Sequence, residues 1–171
     1  MRLVICGTDT DVGKTVVSAL VVQGLGATYW KPVQSGLEGG GDRGRVRELL
    51  QLDDSRLLPE AYRLEAPVSP HWAAEQMGVT IASERLTLPD SQRCPGSLVV
   101  ETAGGLLVPL RRDWLQIEQL VMWRLPVLLV ARSGLGTLNH TLLSLEALRR
   151  RNLKVLGLVL NGPPQIGRAH V

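Results

Sequence analysis

The stretch that most constrains this chain joins the apolar run Leu3-Val4-Ile5-Cys6 to the segment Gly7-Thr8-Asp9-Thr10-Asp11-Val12-Gly13-Lys14-Thr15. A short buried strand there enters a glycine-bounded loop, and Lys14-Thr15 opens an apolar segment, 15–25, that reads as a helix. That order gathers successive backbone N–H groups and the positive end of a helix dipole around one point. Such a point suits a polyphosphate, with Lys14 reaching phosphate oxygens and the Thr15 hydroxyl reaching Mg²⁺. The strict pattern places glycine at position 8; here Thr8 stands there and Gly7 comes one residue early. An ordinary strand-to-helix connector with a capping threonine explains neither the Gly13-Lys14-Thr15 ending nor the crowding of small and polar residues. A nucleotide site is the preferred reading.

Five apolar, β-branched-rich runs recur, at 2–6, 27–30, 97–100, 126–131 and 155–160. Between several of them lie segments with helical spacing. Besides 15–25 these are 113–123, with Asp113 and Gln116 in capping-box positions, and 139–151, amphipathic with its basic end C-terminal. Strands alternating with helices predict an α/β fold, a mostly parallel sheet with helices on both faces. Gly39-Gly40-Gly41 reads as a flexible loop, and 57–95, with five prolines, as irregular chain or short helices. The length of 171 residues fits one domain with a single sizeable core. Phe is absent, so that core must come from Leu, Val, Ile and Ala.

Composition narrows the partners. The net charge is only +3, the arginines are spread except for Arg149-Arg150-Arg151, and no aromatic residues interleave with them. No nucleic-acid partner is expected, and the arginine triplet reads as a solvated helix end. No apolar run approaches the length of about 18 residues that a membrane span needs. Neither Cys6 nor Cys94 sits in a metal-spaced cluster, and no secretory signal precedes them. A reduced, cytoplasmic compartment is expected, with no membrane partner.

The polar residues fall just after the strand-like runs. The phosphate loop follows the first, Lys31-Pro32-Val33-Gln34-Ser35-Gly36 the second, and Glu101-Thr102-Ala103-Gly104-Gly105 the third. Then come the segment from Arg132 to His140, and Asn161-Gly162-Pro163-Pro164. In an open parallel sheet the carboxyl ends of the strands share one edge, where ligands bind. Five clusters distant in sequence are thus expected in one crevice. Phosphoryl transfer there needs charge neutralisation, a metal bridging phosphate oxygens and an in-line acceptor. Thr15, Asp42 and Glu101 are the candidate Mg²⁺ ligands. Lys31 adds a second cation beside Lys14 for an anionic acceptor, and Ser35 can donate to the same anion. His71 and His140 read as structural.

With these residues in place, the chain resembles the dethiobiotin synthetase family. The resemblance rests on the phosphate loop from Gly7 to Thr15, on Lys31-Pro32-Val33-Gln34-Ser35-Gly36, Asp42, Ser69-Pro70-His71 and Glu101-Thr102-Ala103-Gly104-Gly105. Leu135-Gly136-Thr137-Leu138-Asn139-His140 and Asn161 complete it, in the family's order, over nearly all of the chain to residue 164. It implies a three-layer P-loop NTPase fold that is short at its C-terminus. It also implies ATP-dependent carboxylation and ring closure of 7,8-diaminononanoate, with CO₂ or bicarbonate, through a carbamate and its phosphorylated form. By the family pattern Lys14, Lys31 and Thr10 serve catalysis, while Asp11, Val12, Gly13, Lys14, Thr15, Val16 and Asn161 bind ATP. Thr10, Lys31, Ser35 and Gly104 bind substrate, and Thr15, Asp42 and Glu101 hold Mg²⁺. A homodimer is implied, with 135–140 as a contact.

Three departures accompany the resemblance. Thr102 stands where many relatives have Gly and is expected to crowd the pocket floor. The first helix should be brief, ended by Gly24 and Gly26. Family members continue well beyond Asn161, so 1–164 is expected to be the domain and 165–171 a non-native or disordered tail. Two rival readings stand beside the enzyme: a partitioning-type P-loop ATPase, which wants an extra lysine early in the loop, and a truncated nucleotide-binding module without turnover.

Overall fold

Strands that are apolar on both faces must be covered on both, and the chain does this with a three-layer arrangement. The computed structural model describes residues 1–90 and 92–162. In chain order the elements are β1 (Arg2–Gly7), α1 (Lys14–Leu25), β2 (Thr28–Trp30), β3 (Val33–Ser35), α2 (Gly41–Leu50), β4 (Tyr62–Leu64) and α3 (Pro70–Gln76). Then come β5 (Leu98–Gly105), β6 (Pro109–Arg111), β7 (Trp114–Leu115), α4 (Gln116–Trp123), β8 (Val127–Arg132), α5 (Thr137–Arg150) and β9 (Val155–Asn161). Five parallel strands form the main sheet in the order β2-β5-β1-β8-β9. The order reverses at β1, so the crevice at its carboxyl end opens where the phosphate loop begins.

Alternation along the strands sorts the core into two halves. Leu3, Ile5, Tyr29, Val99 and Val130 face Val17 and Val22 of α1 and Val46 of α2. Val4, Cys6, Trp30, Val100 and Leu129 face Ile117, Leu120 and Trp123 of α4, with Ala73 and Ala74 of α3 and Leu148 of α5. Each Val, Leu or Ile among them contributes about 1.5–3 kcal/mol when fully buried. Cys6 is a small buried hydrophobe, its thiol pushed up to about 12 by burial.

The α/β layering is as expected; several boundaries differ for local reasons. Helix α1 ends at Gly26, which takes φ 56° while its N–H donates to Gln23 O; Gly24 lies inside the helix. The helix expected at 113–123 begins only at Gln116. Trp114-Leu115 is drawn into a hairpin with Pro109–Arg111, and the Glu118 carboxylate takes the Leu115 N–H at 2.7 Å. Asp113 pairs instead with Arg111 at 2.9 Å. The glycine triplet is no plain loop: it passes through a 3-10 turn, and Gly41 opens α2. Segment 57–95 holds β4, α3 and a 3-10 turn at Ser83–Leu86, with β4 pairing β3 in parallel. No helix among the described residues is long and apolar enough to cross a membrane. The boundary expected at 164 and the tail 165–171 lie outside the described residues.

Candidate functional site

The loop between β1 and α1 is shaped by two glycines and one unusual aspartate. Asp11 and Gly13 both take positive φ, 56° and 94°. A Cβ on Gly13 would overlap the side-chain amide of Asn161, whose Nδ2 donates to Val12 O at 3.1 Å. A Cβ on Gly7 would lie 2.7 Å from Asp9 O and 2.9 Å from Lys14 Nζ. The Thr8 N–H donates to Val130 O at 2.9 Å, which pins the loop to β8. The displaced glycine of the sequence pattern is therefore a steric requirement at residue 7, where the loop folds back over the lysine.

Lys14 is buried and donates to Asp9 O at 2.8 Å. Its pKa is lowered, first by burial and then by the positive charge of Lys31. Lys31 stands just past β2. Because Tyr29 pairs in register with Val99 and Trp30 with Val100, Lys31 falls beside Glu101. It forms ion pairs with Asp42 and, at 3.2 Å, with Glu101 Oε1. Burial alone would lower the Lys31 pKa, but the two carboxylates outweigh it and the net shift is upward. Glu101 has no solvent exposure. It accepts from Thr15 Oγ1 at 2.9 Å, Lys31 Nζ at 3.2 Å and Tyr29 Oη at 3.0 Å. Tyr29 is itself fully buried, and burial together with the Glu101 charge holds its pKa well above the usual tyrosine value. It remains a donor.

Lys14, Thr15, Lys31, Asp42 and Glu101 line a cavity of about 700 Å³, and Tyr29 lies behind it. Of the residues singled out in the sequence, Thr10, Asp11, Gly13, Lys14, Thr15, Lys31, Ser35, Asp42, Glu101 and Gly104 form its wall. Val12 is buried beneath the loop, Val16 is half exposed on α1, and Asn161 sits behind Gly13 rather than on the wall. Asp42 lies in the first turn of α2, held by its N–H to Gln34 Oε1 at 3.1 Å. Glu101 is the fourth residue of β5, not its end, since the strand runs on to Gly105. Thr102 is absent from the cavity wall and donates to Ile5 O at 3.3 Å, so the expected crowding of the pocket floor does not occur. Ser35 Oγ is buried with no hydrogen-bond partner among the described residues, and Ser35 lines the cavity. His71 instead contacts Ser69 Oγ through Nδ1 at 3.0 Å.

Two residues were missed in the sequence. Tyr29 precedes Lys31 by two positions, the spacing that puts both on one face of an extended chain. Gln34 spans from Asp42 N–H to Ser35 O and Gly36 O and so holds the acid against the strand. Chemically, Lys14 and Lys31, the carboxylates of Asp42 and Glu101, and the hydroxyl residues Thr10, Thr15 and Ser35 on the wall of one cavity suit a polyphosphate, an anionic acceptor and a hard cation. Among the described residues no three His, Cys, Asp or Glu cluster to enclose a metal. Two carboxylates and Thr15 leave positions for water and phosphate, which is the oxygen shell Mg²⁺ favours.

The AAA domain family matches residues 1–168. Among curated proteins, the ATP-dependent dethiobiotin synthetase BioD of Rhodopseudomonas palustris strain BisB5 is 56% identical over 160 residues, covering 94% of this chain and 74% of that protein. The BioD of strain BisB18 is 53% identical over 161 residues, covering 94% and 76%. That of Bradyrhizobium diazoefficiens is 53% identical over 161, covering 94% and 75%. The chain belongs to the dethiobiotin synthetase family. In structure it is similar to the kinase domain of the Escherichia coli tyrosine kinase ETK, with TM-score 0.51 and 16% identity over 94% of this chain and 67% of that one. That likeness concerns the fold alone. In this chain the displaced glycine at position 7 and the lysine at 31 belong to one site: Gly7 leaves room for Lys14 Nζ, and the Lys31 charge acts on Lys14.

Proposed function

We propose that this chain is an ATP-dependent dethiobiotin synthetase, a ligase of biotin biosynthesis that carboxylates 7,8-diaminononanoate and closes the ureido ring. Beyond family membership, the observation that carries the reading is Lys31. A simple ATPase needs one phosphate-loop lysine; here a second buried lysine lines the same cavity, where an anionic acceptor would approach ATP. One amine of the diamine adds to CO₂, losing a proton, to give a carbamate. Lys14 and the loop-to-helix segment from Asp11 to Val16 hold the phosphates. Lys31 would exchange its pairing with Asp42 and Glu101 for the carbamate. Ser35, Thr10 and Gly104 seat the diamine, and the orphaned Ser35 hydroxyl suits a ligand that supplies its acceptor. The carbamate oxygen takes the γ-phosphoryl group as ADP leaves. The second amine then attacks the carbonyl carbon, phosphate departs, and the ring closes. Positioning and electrostatic screening supply most of the rate, because the acceptor is a weak nucleophile. Thr15, Asp42 and Glu101 would hold Mg²⁺, which when bound neutralises charge on the β- and γ-phosphates.

Asn161, at the carboxyl end of β9 with its Nδ2 donating to Val12 O, is assigned to the base of the nucleotide by the family pattern. Exposed Leu135, Leu138, Leu142 and Leu143 lie on and before α5, and Leu107 is also exposed; an apolar face of this kind suits a homodimer contact. The proposed setting is cytoplasmic. The reading is tested by ATP- and bicarbonate-dependent consumption of diaminononanoate with dethiobiotin formed one for one with ADP. ATP hydrolysis independent of the diamine would instead favour a switch ATPase, and nucleotide binding without turnover a binding module. Sedimentation of the purified chain tests the dimer.

A further inference from the structure

The two oxygens of Glu101 are held in different ways. Oε1 accepts from Thr15 and Lys31, both on the cavity wall. Oε2 accepts from Tyr29 Oη at 3.0 Å, and Tyr29 has no exposure and no place on that wall. Anything entering from the cavity meets Oε1 and competes with its donors; nothing entering competes with Tyr29. A carboxylate otherwise turns freely about its last torsion, which has only a broad two-fold preference.

Tyr29 itself is firmly seated. Its backbone pairs with Val99 of β5 and bridges to Leu57, and its carbonyl accepts from Leu58 N–H at 2.9 Å. Its ring lies in the core half that contains Leu3, Val22 and Leu57. The hydroxyl is thus delivered to Glu101 by two paired strands rather than by a mobile side chain.

We propose that Tyr29 is a positioning residue for the divalent-cation site: its hydroxyl fixes the rear oxygen of Glu101 so that the front oxygen stays turned to Thr15 and the cavity. The inference rests on the reading of Glu101 as a metal ligand. Outer partners of this kind, when removed, weaken metal binding about 10–100-fold.

The test is Mn²⁺ binding in the presence of ATP, followed by the electron paramagnetic resonance of free Mn²⁺, on the full chain and two variants. Glu101→Gln should lose the site. Tyr29→Phe should bind Mn²⁺ about 10–100-fold more weakly while its metal-free ATP affinity stays at the wild-type value. If Glu101→Gln binds Mn²⁺ as well as wild type, the metal reading itself fails. If Glu101→Gln loses Mn²⁺ and Tyr29→Phe keeps it within about three-fold of wild type, below the range expected for an outer partner, Tyr29 is only a core side chain and the proposal is overturned. Should Tyr29→Phe not fold, 4-aminophenylalanine and 4-fluorophenylalanine at residue 29 carry the same comparison. The amino group keeps a donor and should retain tight binding; the fluorine removes it and should not. Equal affinities for that pair overturn the proposal.

Discussion

Replacing Lys31 by methionine removes the one cation that stands between Asp42 and Glu101 while keeping most of the side-chain volume. Lys31 is 5% exposed and Glu101 0%. Removing one partner of a buried ion pair costs about 3–5 kcal/mol, because the other charge is left uncompensated. Here the low end applies, since Thr15 and Tyr29 still donate to Glu101 and the Asp42 side chain, 30% exposed, can take water. A loss of about 3 kcal/mol corresponds to a drop in Tm of about 6–12 °C for a domain of this size. The same change frees both carboxylates for a hard cation. If Mg²⁺ then binds with a Kd of about 1 mM, about 10 mM Mg²⁺ returns about 1.4 kcal/mol to the variant. In the unaltered chain Mg²⁺ must first displace Lys31, and the gain should stay under about 0.5 kcal/mol at the same concentration. Thermal melts of Lys31→Met and the unaltered chain, without nucleotide and with NaCl matching the ionic strength, measure both effects. A variant that melts within about 1 °C of the unaltered chain, far less than the worked loss, would refute the buried-pair reasoning. Equal Mg²⁺ shifts in the two proteins would refute the idea that Lys31 stands in the cation's place.

Lys31→Ala should lower dethiobiotin formation by about 10²-fold or more, as for loss of one preorganised charge-stabilising donor; near-normal turnover removes Lys31 from the reaction. Lys14→Met should abolish turnover yet raise the Tm of the nucleotide-free chain by about 2–4 °C, or roughly 1 kcal/mol, since Lys14 is a buried cation facing a backbone carbonyl and repelled by Lys31. Its folded pKa lies below the ordinary lysine value, so between the two the native state binds fewer protons than the unfolded state. The advantage of Lys14→Met should therefore be largest below that folded pKa, shrink as pH rises through it, and vanish above the ordinary lysine value; a gain that grows with pH contradicts the assignment. Gly13→Ala should cost about 2–5 kcal/mol, from left-handed strain plus overlap with Asn161, but only about 1–2 in an Asn161→Ala background where the overlap is gone. Denaturant melts of the four proteins in that cycle measure the difference, and equal costs would remove the contact. Ser35→Ala should leave the Tm unchanged and raise the KM for the diamine about 3–10-fold, the worth of one neutral hydrogen bond.

What the sequence determined by itself was local. The buried run into Gly7, the glycine before Lys14 and the helix after it are features of neighbouring residues, and short-range sterics enforce them. The parallel sheet was legible for the same reason: apolar runs separated by helical spacing admit few other arrangements. The carboxylates and the second lysine were legible as chemistry, though not as a network. Only the tertiary structure decided that Lys31 is neutralised by Asp42 and Glu101 rather than free, because that depends on the register of β2 against β5, strands far apart in the chain. The same register brings the Tyr29 hydroxyl to the rear oxygen of Glu101, whereas alternation within β5 turns Thr102 away from the cavity. Helix α2 begins in the glycine triplet although glycine is a poor helix former, since Val46 is buried against the core and Gln34 holds the N–H of Asp42. Local preference selected the elements; pairing across the sheet decided which of their side chains meet.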